Sequence, residues 1–377
     1  MPRPYITALI DTFNHQRFIE RAVSSALEQD FPPTEMEILV VDDGSTDTTP
    51  EILARFAPLV RLLHKPNGGQ ASAFNFAIPE ARGEVIAFLD GDDWWAPKKL
   101  MHVAAAMRPE PRIGLLGHGI TEVHDRIHGK MHDDNSDIRT IQGDFAFDEH
   151  EESHLLREGF RFRADTLEGA RLFRLRKSFL GASRMALRSD LARTLLPVPE
   201  SLIVEADEYL FTLAAVASEA LILPEALTFY RLHGENMYQT DNFDALGFRR
   251  KQAVLASLAS TLRRKLLADG LSEDVTHILT TVIQVEADQL RLMVDGGWPL
   301  ETARTEWRLF RIMCEHPSAA HVFFKLASLI PALLLPPRTY YSARQRLVRN
   351  ATYLQARRRW LPIPVLPHVR RARSSRA

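Results

Sequence analysis

A single cysteine, Cys314, leaves the chain without an intrachain disulfide and fits a reducing compartment. The run before Asp11 is too short for the apolar core of a signal peptide, and no uninterrupted apolar run is long enough to span a bilayer. A cytoplasmic protein is expected. Glycine loops for phosphate are missing as well. The first apolar segment ends in Asp11-Thr12-Phe13-Asn14 rather than G-x-G-x-x-G, and no G-x-x-x-x-G-K-[ST] occurs, which argues against a dinucleotide-binding Rossmann site and a P-loop NTPase. From Arg338 to Ala377 there is no Asp, Glu or Lys, but arginine recurs throughout, so a net charge of −1 hides an acidic body and a basic tail. Such a tail calls for an anionic partner, lipid surface or nucleic acid; the expectation is the inner face of a membrane and no nucleic acid.

What is present centres on Glu84 to Trp95. The apolar run Val85-Ile86-Ala87-Phe88-Leu89 reads as a buried strand and ends in Asp90-Gly91-Asp92-Asp93, three carboxylates within four residues. Crowded acids at the end of a buried strand repel one another, and a cation relieves them; hard oxygen ligands suit Mg²⁺ or Mn²⁺. A solvated turn capping the helix expected to start at Pro97 is the competing reading.

The same grammar repeats upstream. Ile6 to Ile10 reads as a strand running into Asp11 to Asn14, and a helix with Phe18, Ile19, Ala22, Val23, Ala26 and Leu27 on one face follows. Glu37 to Val41 runs into Asp42-Asp43-Gly44-Ser45-Thr46-Asp47, where Ser45, Thr46 or Asp47 can cap the next helix. Val60 to His64 is a third strand, before the loop Asn67-Gly68-Gly69-Gln70. Continuous apolar strands alternating with helices predict an α/β fold: a mainly parallel sheet covered on both faces, with ligands beyond the carboxyl ends of its strands. Four polar loops lie at such ends.

Those loops resemble family 2 glycosyltransferases of the GT-A (Rossmann-like) fold, in the order Thr12-Phe13-Asn14, Val40 to Asp47, Asn67 to Gln70 with Asn75, and Phe88 to Asp93. The resemblance continues through Val204 to Leu210 and Tyr230 to Asn236, covering roughly the first 236 residues. It implies a metal-dependent, inverting transfer of a sugar from a nucleoside-diphosphate sugar, UDP favoured, to an acceptor hydroxyl of a glycan, a lipid-linked molecule or a small molecule. Donor contacts fall to Thr12, Phe13, Asn14, Asp42, Asp43, Asn67, Gln70, Asp90 and Gly91; Mn²⁺ or Mg²⁺ to Asp92, Asp90 and His233; the catalytic base is Asp207. Acceptor contacts fall to Trp94, Trp95, Gly181, Ala182, Ser183 and Glu205. Asp11 stands where the family usually has proline, Phe13 where it has tyrosine and Phe74 where it has arginine.

Plainer readings coexist with these. Asp43, Ser45 and Asp47 suit a turn and cap; Asp207 and Glu208 suit the first turn of a helix; His233 suits a structural histidine, and Trp94 and Trp95 suit a core. A haloacid-dehalogenase-type phosphatase wants D-x-D-x-T near the first strand, whereas Trp94 follows Asp92 by two. A nucleotide-sugar-binding module without catalysis is countered by Asp207 and His233.

Four regions are expected: 1–117, a nucleotide-sugar-binding half; 118–238, an acceptor half; 239–337, a helical extension; and 338–377, the arginine-rich tail. The span from Gly117 to Phe179 reads as a variable loop or a lid over the acceptor; its His118, His124, His128 and His132 lack fixed ligand spacing, which makes metal binding there the lesser reading. Thr228 to Arg231 is expected at a sheet edge. Val322 to Leu335, apolar and too short to span, precedes the arginines and resembles an interfacial anchor.

Overall fold

The computed structural model of the chain describes residues 3–124, 138–141, 159–176, 179–233, 245–313 and 319–348. His128, His132, Cys314, Gly234 to Asn236 and the tail beyond Val348 lie outside the described residues. The first half contains β1 (Ile6–Thr12), α1 (Ile19–Leu27), β2 (Met36–Asp42), α2 (Thr49–Ala54), β3 (Arg61–His64), α3 (Gly69–Ala77), β4 (Val85–Asp90), β5 (Trp94–Trp95) and α4 (Lys99–Met107). Then come β6 (Ile113–His124), β7 (Ile138–Ile141), β8 (Phe160–Phe162), α5 (Leu167–Arg176), β9 (Met185–Arg188), α6 (Ser189–Thr194), α7 (Ala206–Ala217) and β10 (Glu219–Leu232). Five helices follow: α8 (Ala245–Ala268), α9 (Glu273–Val294), α10 (Pro299–Met313), α11 (Ala319–Leu334) and α12 (Pro337–Val348).

The strands form one curled, mostly parallel sheet in the order β3-β2-β1-β4-β9-β6-β10-β5, with β7 beside β6 and β8 beside β10. β1, β2, β3 and β4 are parallel; β9 runs antiparallel between β4 and β6, and β10 is parallel to β6. Both faces of the parallel half are covered, which explains its continuous apolar runs. Leu9, Ile86 and Phe88 face a core shared with α3, α5, α7, α8 and α9. Ala8, Ile10, Val85, Ala87 and Leu89 face α1, α2 and α4. Burying each larger side chain contributes about 1.5–3 kcal/mol.

Some expectations are corrected. α4 begins at Lys99 rather than Pro97, because Pro97 lies in the turn after β5. β6 passes through the expected boundary at residue 117. Thr228 and Phe229 are not at an edge, since β6 holds them on one side and the two-residue β5 on the other, while β8 covers β10 only at Ala220 to Ile222. Leu258, Leu262 and Leu279 of the helical extension belong to the same core as Phe173 and Leu210. Ser272 caps α9 as expected, its Oγ accepting from the Val275 N–H at 3.4 Å. No helix among the described residues is long and apolar enough to cross a membrane.

Candidate functional site

Parallel register brings the acids together. β1 lies between β2 and β4, pairing Thr12 with Asp42 and Asp11 with Asp90. The carboxyl ends of three strands thus place their acids on one rim. Gly91 is required there by space, since a Cβ would come within 2.6 Å of Thr12 Oγ1 and 2.7 Å of His15 Nδ1.

The second and third loops are locked by Asp43. Its carboxylate, 3 % exposed, accepts the N–H of Gly69 at 2.7 Å and of Gly68 at 3.1 Å, the Asn67 amide at 3.2 Å, and pairs with Lys65. Gly69 holds a left-handed φ of +81°, and a Cβ there would meet Ile203 at 2.3 Å. Asp42 accepts the Ser45 N–H at 3.0 Å and lies 3.3 Å from His64 Nδ1. Asn14, at φ 56°, staples the first loop to the second: its Oδ1 accepts the Thr46 N–H at 2.7 Å and its own N–H donates to Ser45 Oγ at 2.9 Å. These expected donor contacts therefore also build the loops. The expected cap is narrower than Ser45, Thr46 or Asp47 together, as only Asp47 meets the helix, accepting the Thr49 N–H at 2.9 Å. Phe13 is exposed at the mouth, while Phe74 is fully buried against Phe88.

Asp90, Asp92 and Asp93 each turn a ligand oxygen into one cluster, all within 4.8 Å. Burial and the charge of Asp92 push the Asp90 carboxyl up to about 8. Asp93 is driven well above the usual carboxylate range by burial and by Asp92 and Asp90. Asp92 goes the other way. Burial opposes its charge, but His233, whose Nε2 lies 3.1 Å from Asp92 Oδ2, and the charge of His15 hold it below the ordinary value. Asp93 is not a helix cap: it is 1 % exposed and its Oδ1 accepts the Arg231 N–H of β10 at 2.8 Å.

The base candidate sits across the same rim. Asp207, in the first turn of α7, accepts the Ala182 N–H at 3.0 Å on Oδ2 and the Glu208 N–H at 2.8 Å on Oδ1. Burial raises its carboxyl above the ordinary value, against those two N–H groups. Gln70 joins both halves of the site. Its Nε2 donates to Asp90 Oδ1 at 3.4 Å, and its Oε1 accepts the Ala206 N–H at 3.2 Å. Glu205, 4 % exposed, turns the chain into α7 in a left-handed conformation at φ 66°. Gly181, at φ 149°, lets the chain turn so that Ala182 meets Asp207. Ser183 is drawn to Asp90, whose N–H it accepts at 3.0 Å and whose Oδ2 it donates to at 3.2 Å.

The two tryptophans separate. Trp95 is 2 % exposed with the Lys99 ammonium 4.2 Å from its ring centre, so it is a core residue and cannot floor a sugar subsite. Trp94 stacks on Phe229 at 5.1 Å and lies beneath the Arg231 guanidinium. Two members of the site carried no assignment in the sequence. Asp11 Oδ1 is buried without a hydrogen-bond partner, and burial with the charges of Asp90 and Asp92 drives the group well above the carboxylate range. Its signal was an acid at the end of the first strand, matching Asp42 and Asp90. Lys99, fully buried, donates to the Ser183 carbonyl at 2.8 Å from behind the acids; no local pattern marks it.

Residues 7–171 match the model of glycosyl transferase family 2. An uncharacterized glycosyltransferase of Nostoc sp. is 29 % identical over 240 residues, covering 62 % of this chain and 67 % of that one. The Staphylococcus aureus poly(ribitol-phosphate) beta-N-acetylglucosaminyltransferase TarS is 35 % identical over 103 residues, 26 % of this chain and only 18 % of that one. Its residues 1–349, solved with UDP, align with 91 % of each chain at 18 % identity and a TM-score of 0.48. A Pyrobaculum calidifontis mannosyltransferase solved with GDP-Man and Mn²⁺ covers 96 % of this chain and 88 % of its own at 20 % identity and a TM-score of 0.48. The matched region, 165 of the 377 residues, spans the loops that carry Asp42, Asp43, Asp90 and Asp92, and over that region the chain is similar to glycosyl transferase family 2 and to named glycosyltransferases.

Proposed function

We propose that the protein moves a sugar from a nucleoside-diphosphate sugar, uridine favoured, to an acceptor hydroxyl with inversion at the anomeric carbon. The Gln70 bridge carries this reading, because one side chain ties the acid pair to the first turn of α7, where Asp207 stands. Thr12, Asp42, Asp43, Asn67 and Gly91 border the donor side; Gly181 to Ser183, Glu205 and Trp94 border the acceptor side. The acceptor is a glycan, a lipid-linked molecule or a small molecule.

The acids suit a hard divalent cation: three carboxylate oxygens lie within 4.8 Å, and two of the three groups are raised by burial and mutual repulsion. Asp92 and Asp90 would hold Mn²⁺ or Mg²⁺, with His233 beside Asp92. When bound, the ion supplies charge neutralisation to the diphosphate leaving group. Asp207 takes the proton of the acceptor hydroxyl as that oxygen attacks the anomeric carbon from the face opposite the diphosphate. Its raised pKa makes it a stronger base than a free aspartate, and the Ala182 and Glu208 N–H groups fix its orientation. One base without a second carboxylate as nucleophile accords with a single displacement.

A panel of nucleotide sugars assayed for Mn²⁺-dependent donor hydrolysis, with isothermal titration of UDP in the presence and absence of Mn²⁺, tests the reading. UDP binding strengthened by Mn²⁺, with turnover of at least one donor, supports it. Binding without turnover of any donor reduces the protein to a nucleotide-sugar-binding module.

A further inference from the structure

α11 faces the wrong way for an ordinary bundle helix. Its cation turns inward: Lys325 Nζ lies 3.4 Å from Oε2 of Glu306, an acid only 2 % exposed. The same acid accepts the Gln289 amide of α9 at 3.1 Å and pairs with Arg344 of α12, so α10, α11 and α12 are oriented around one buried charge. Leu329 and Ala332 are buried on that inner side, with Ala303 of α10. The outer side is apolar. Phe323 is 67 % exposed, Leu326 52 %, Ile330 55 %, Leu333 47 % and Leu334 74 %. Steps of three and four residues put these five side chains on one stripe of the helix. Trp298, 78 % exposed, and Leu300, 50 % exposed, follow the turn at Gly296, which approaches Arg338 at the start of α12.

Charge says what covers this stripe. Residues 316–377 hold 12 Lys and Arg and no Asp or Glu, which leaves 35 Lys and Arg against 48 Asp and Glu in residues 1–315. An apolar stripe inside a purely cationic segment suits a surface that is apolar and anionic at once. A second copy would set one net-cationic segment against another, although the stripe itself carries no charge. With 16 residues and Pro331 within it, α11 is about 24 Å long, so it lies along a bilayer rather than through it.

We propose that the outer stripe of α11 is a membrane-docking surface. Phe323, Leu326, Ile330, Leu333 and Leu334 enter the boundary between headgroups and acyl chains of a bilayer containing anionic phospholipid, to which the net positive charge of residues 316–377 is attracted. None of these residues belongs to the acid rim, so the proposal stands independently of the transfer reaction.

Flotation of the full chain with vesicles tests it, comparing phosphatidylcholine alone with phosphatidylcholine containing phosphatidylglycerol, at low and high salt. The wild-type chain floats with the anionic vesicles at low salt and not with the neutral ones. The exposed double substitution Phe323→Glu with Ile330→Glu lowers the partition coefficient about tenfold or more while circular dichroism and donor turnover stay unchanged. Leu326→Gln with Leu333→Gln, a gentler pair, lowers it in the same direction and serves if the first pair unfolds. Three outcomes overturn the proposal: wild-type protein ignoring anionic vesicles, both double variants floating like wild type, or loss of binding only on Arg357→Ala with Arg358→Ala and Arg359→Ala. A dimer in sedimentation that the apolar substitutions dissociate, without any vesicle binding, assigns the stripe to a second copy instead.

Discussion

Two groups of buried acids among the described residues are treated in opposite ways. In the helical region Glu306 has its partners built in: Lys325, Arg344 and the Gln289 amide reach it from three helices. At the rim Asp11, Asp90 and Asp93 are raised first by burial and then by the charges of neighbouring acids. Lys99 stands behind them, donating to the Ser183 carbonyl and to Thr228 Oγ1, and its charge and that of Arg184 offset only part of the cost of burying the acids. A buried acid with its own cations is a structural joint. A buried crowd of acids stores repulsion that a cation from outside relieves, which is the electrostatic character of a site.

The comparison is most sharply tested by removing charge from each region. At the rim, Asp207→Asn lowers turnover about 10³-fold, measured as product formed per folded enzyme, because a general base supplies about 10²–10⁴-fold. Asp92→Asn gives a comparable loss. Near-normal turnover in either variant breaks the assignment. In the bundle, Glu306→Gln leaves Lys325 and Arg344 without their anion and costs about 2–3 kcal/mol in denaturant unfolding, discounted from the deeply buried case because both cations are partly exposed. Turnover per folded molecule is unchanged. Asp90→Asn does the reverse, raising the melting temperature of metal-free protein while abolishing turnover.

The pH dependence has a definite sign. A carboxyl near 3.9 in the unfolded chain and at about 8 in the folded one binds its proton more tightly when folded. The contribution of Asp90 to stability is therefore complete below about pH 4 and is lost as pH rises through about 8. Mn²⁺ displaces that proton, so the Mn²⁺-induced rise in melting temperature grows between about pH 6 and about pH 8.5, and binding releases protons to the buffer. A shift independent of pH contradicts ligation by Asp90. The smallest effect is Ser272→Ala, which removes the α9 cap and costs about 1 kcal/mol in unfolding with no change in turnover.

Local chemistry alone determined much of this protein. Apolar runs ending at Asp11, Asp42 and Asp90 marked strands whose carboxyl ends share a rim, and Ser272 ahead of a helical pattern marked a cap. These signals are legible because they depend on neighbours within a few residues. What the tertiary structure decided depends on contacts across 70 to 141 residues and on the order of strands, which periodicity does not encode. Sheet order set Asp11 beside Asp90 and put β10 next to β5, so that the Arg231 N–H holds Asp93. Packing turned Trp95 inward over Lys99, and let Gln70 span from Asp90 to the helix of Asp207. The apolar character of Val322 to Leu335 was plain in the sequence. Which side of that helix faces out was settled only when Glu306 drew Lys325 inward, because a buried charge must be met and an apolar stripe has no such demand.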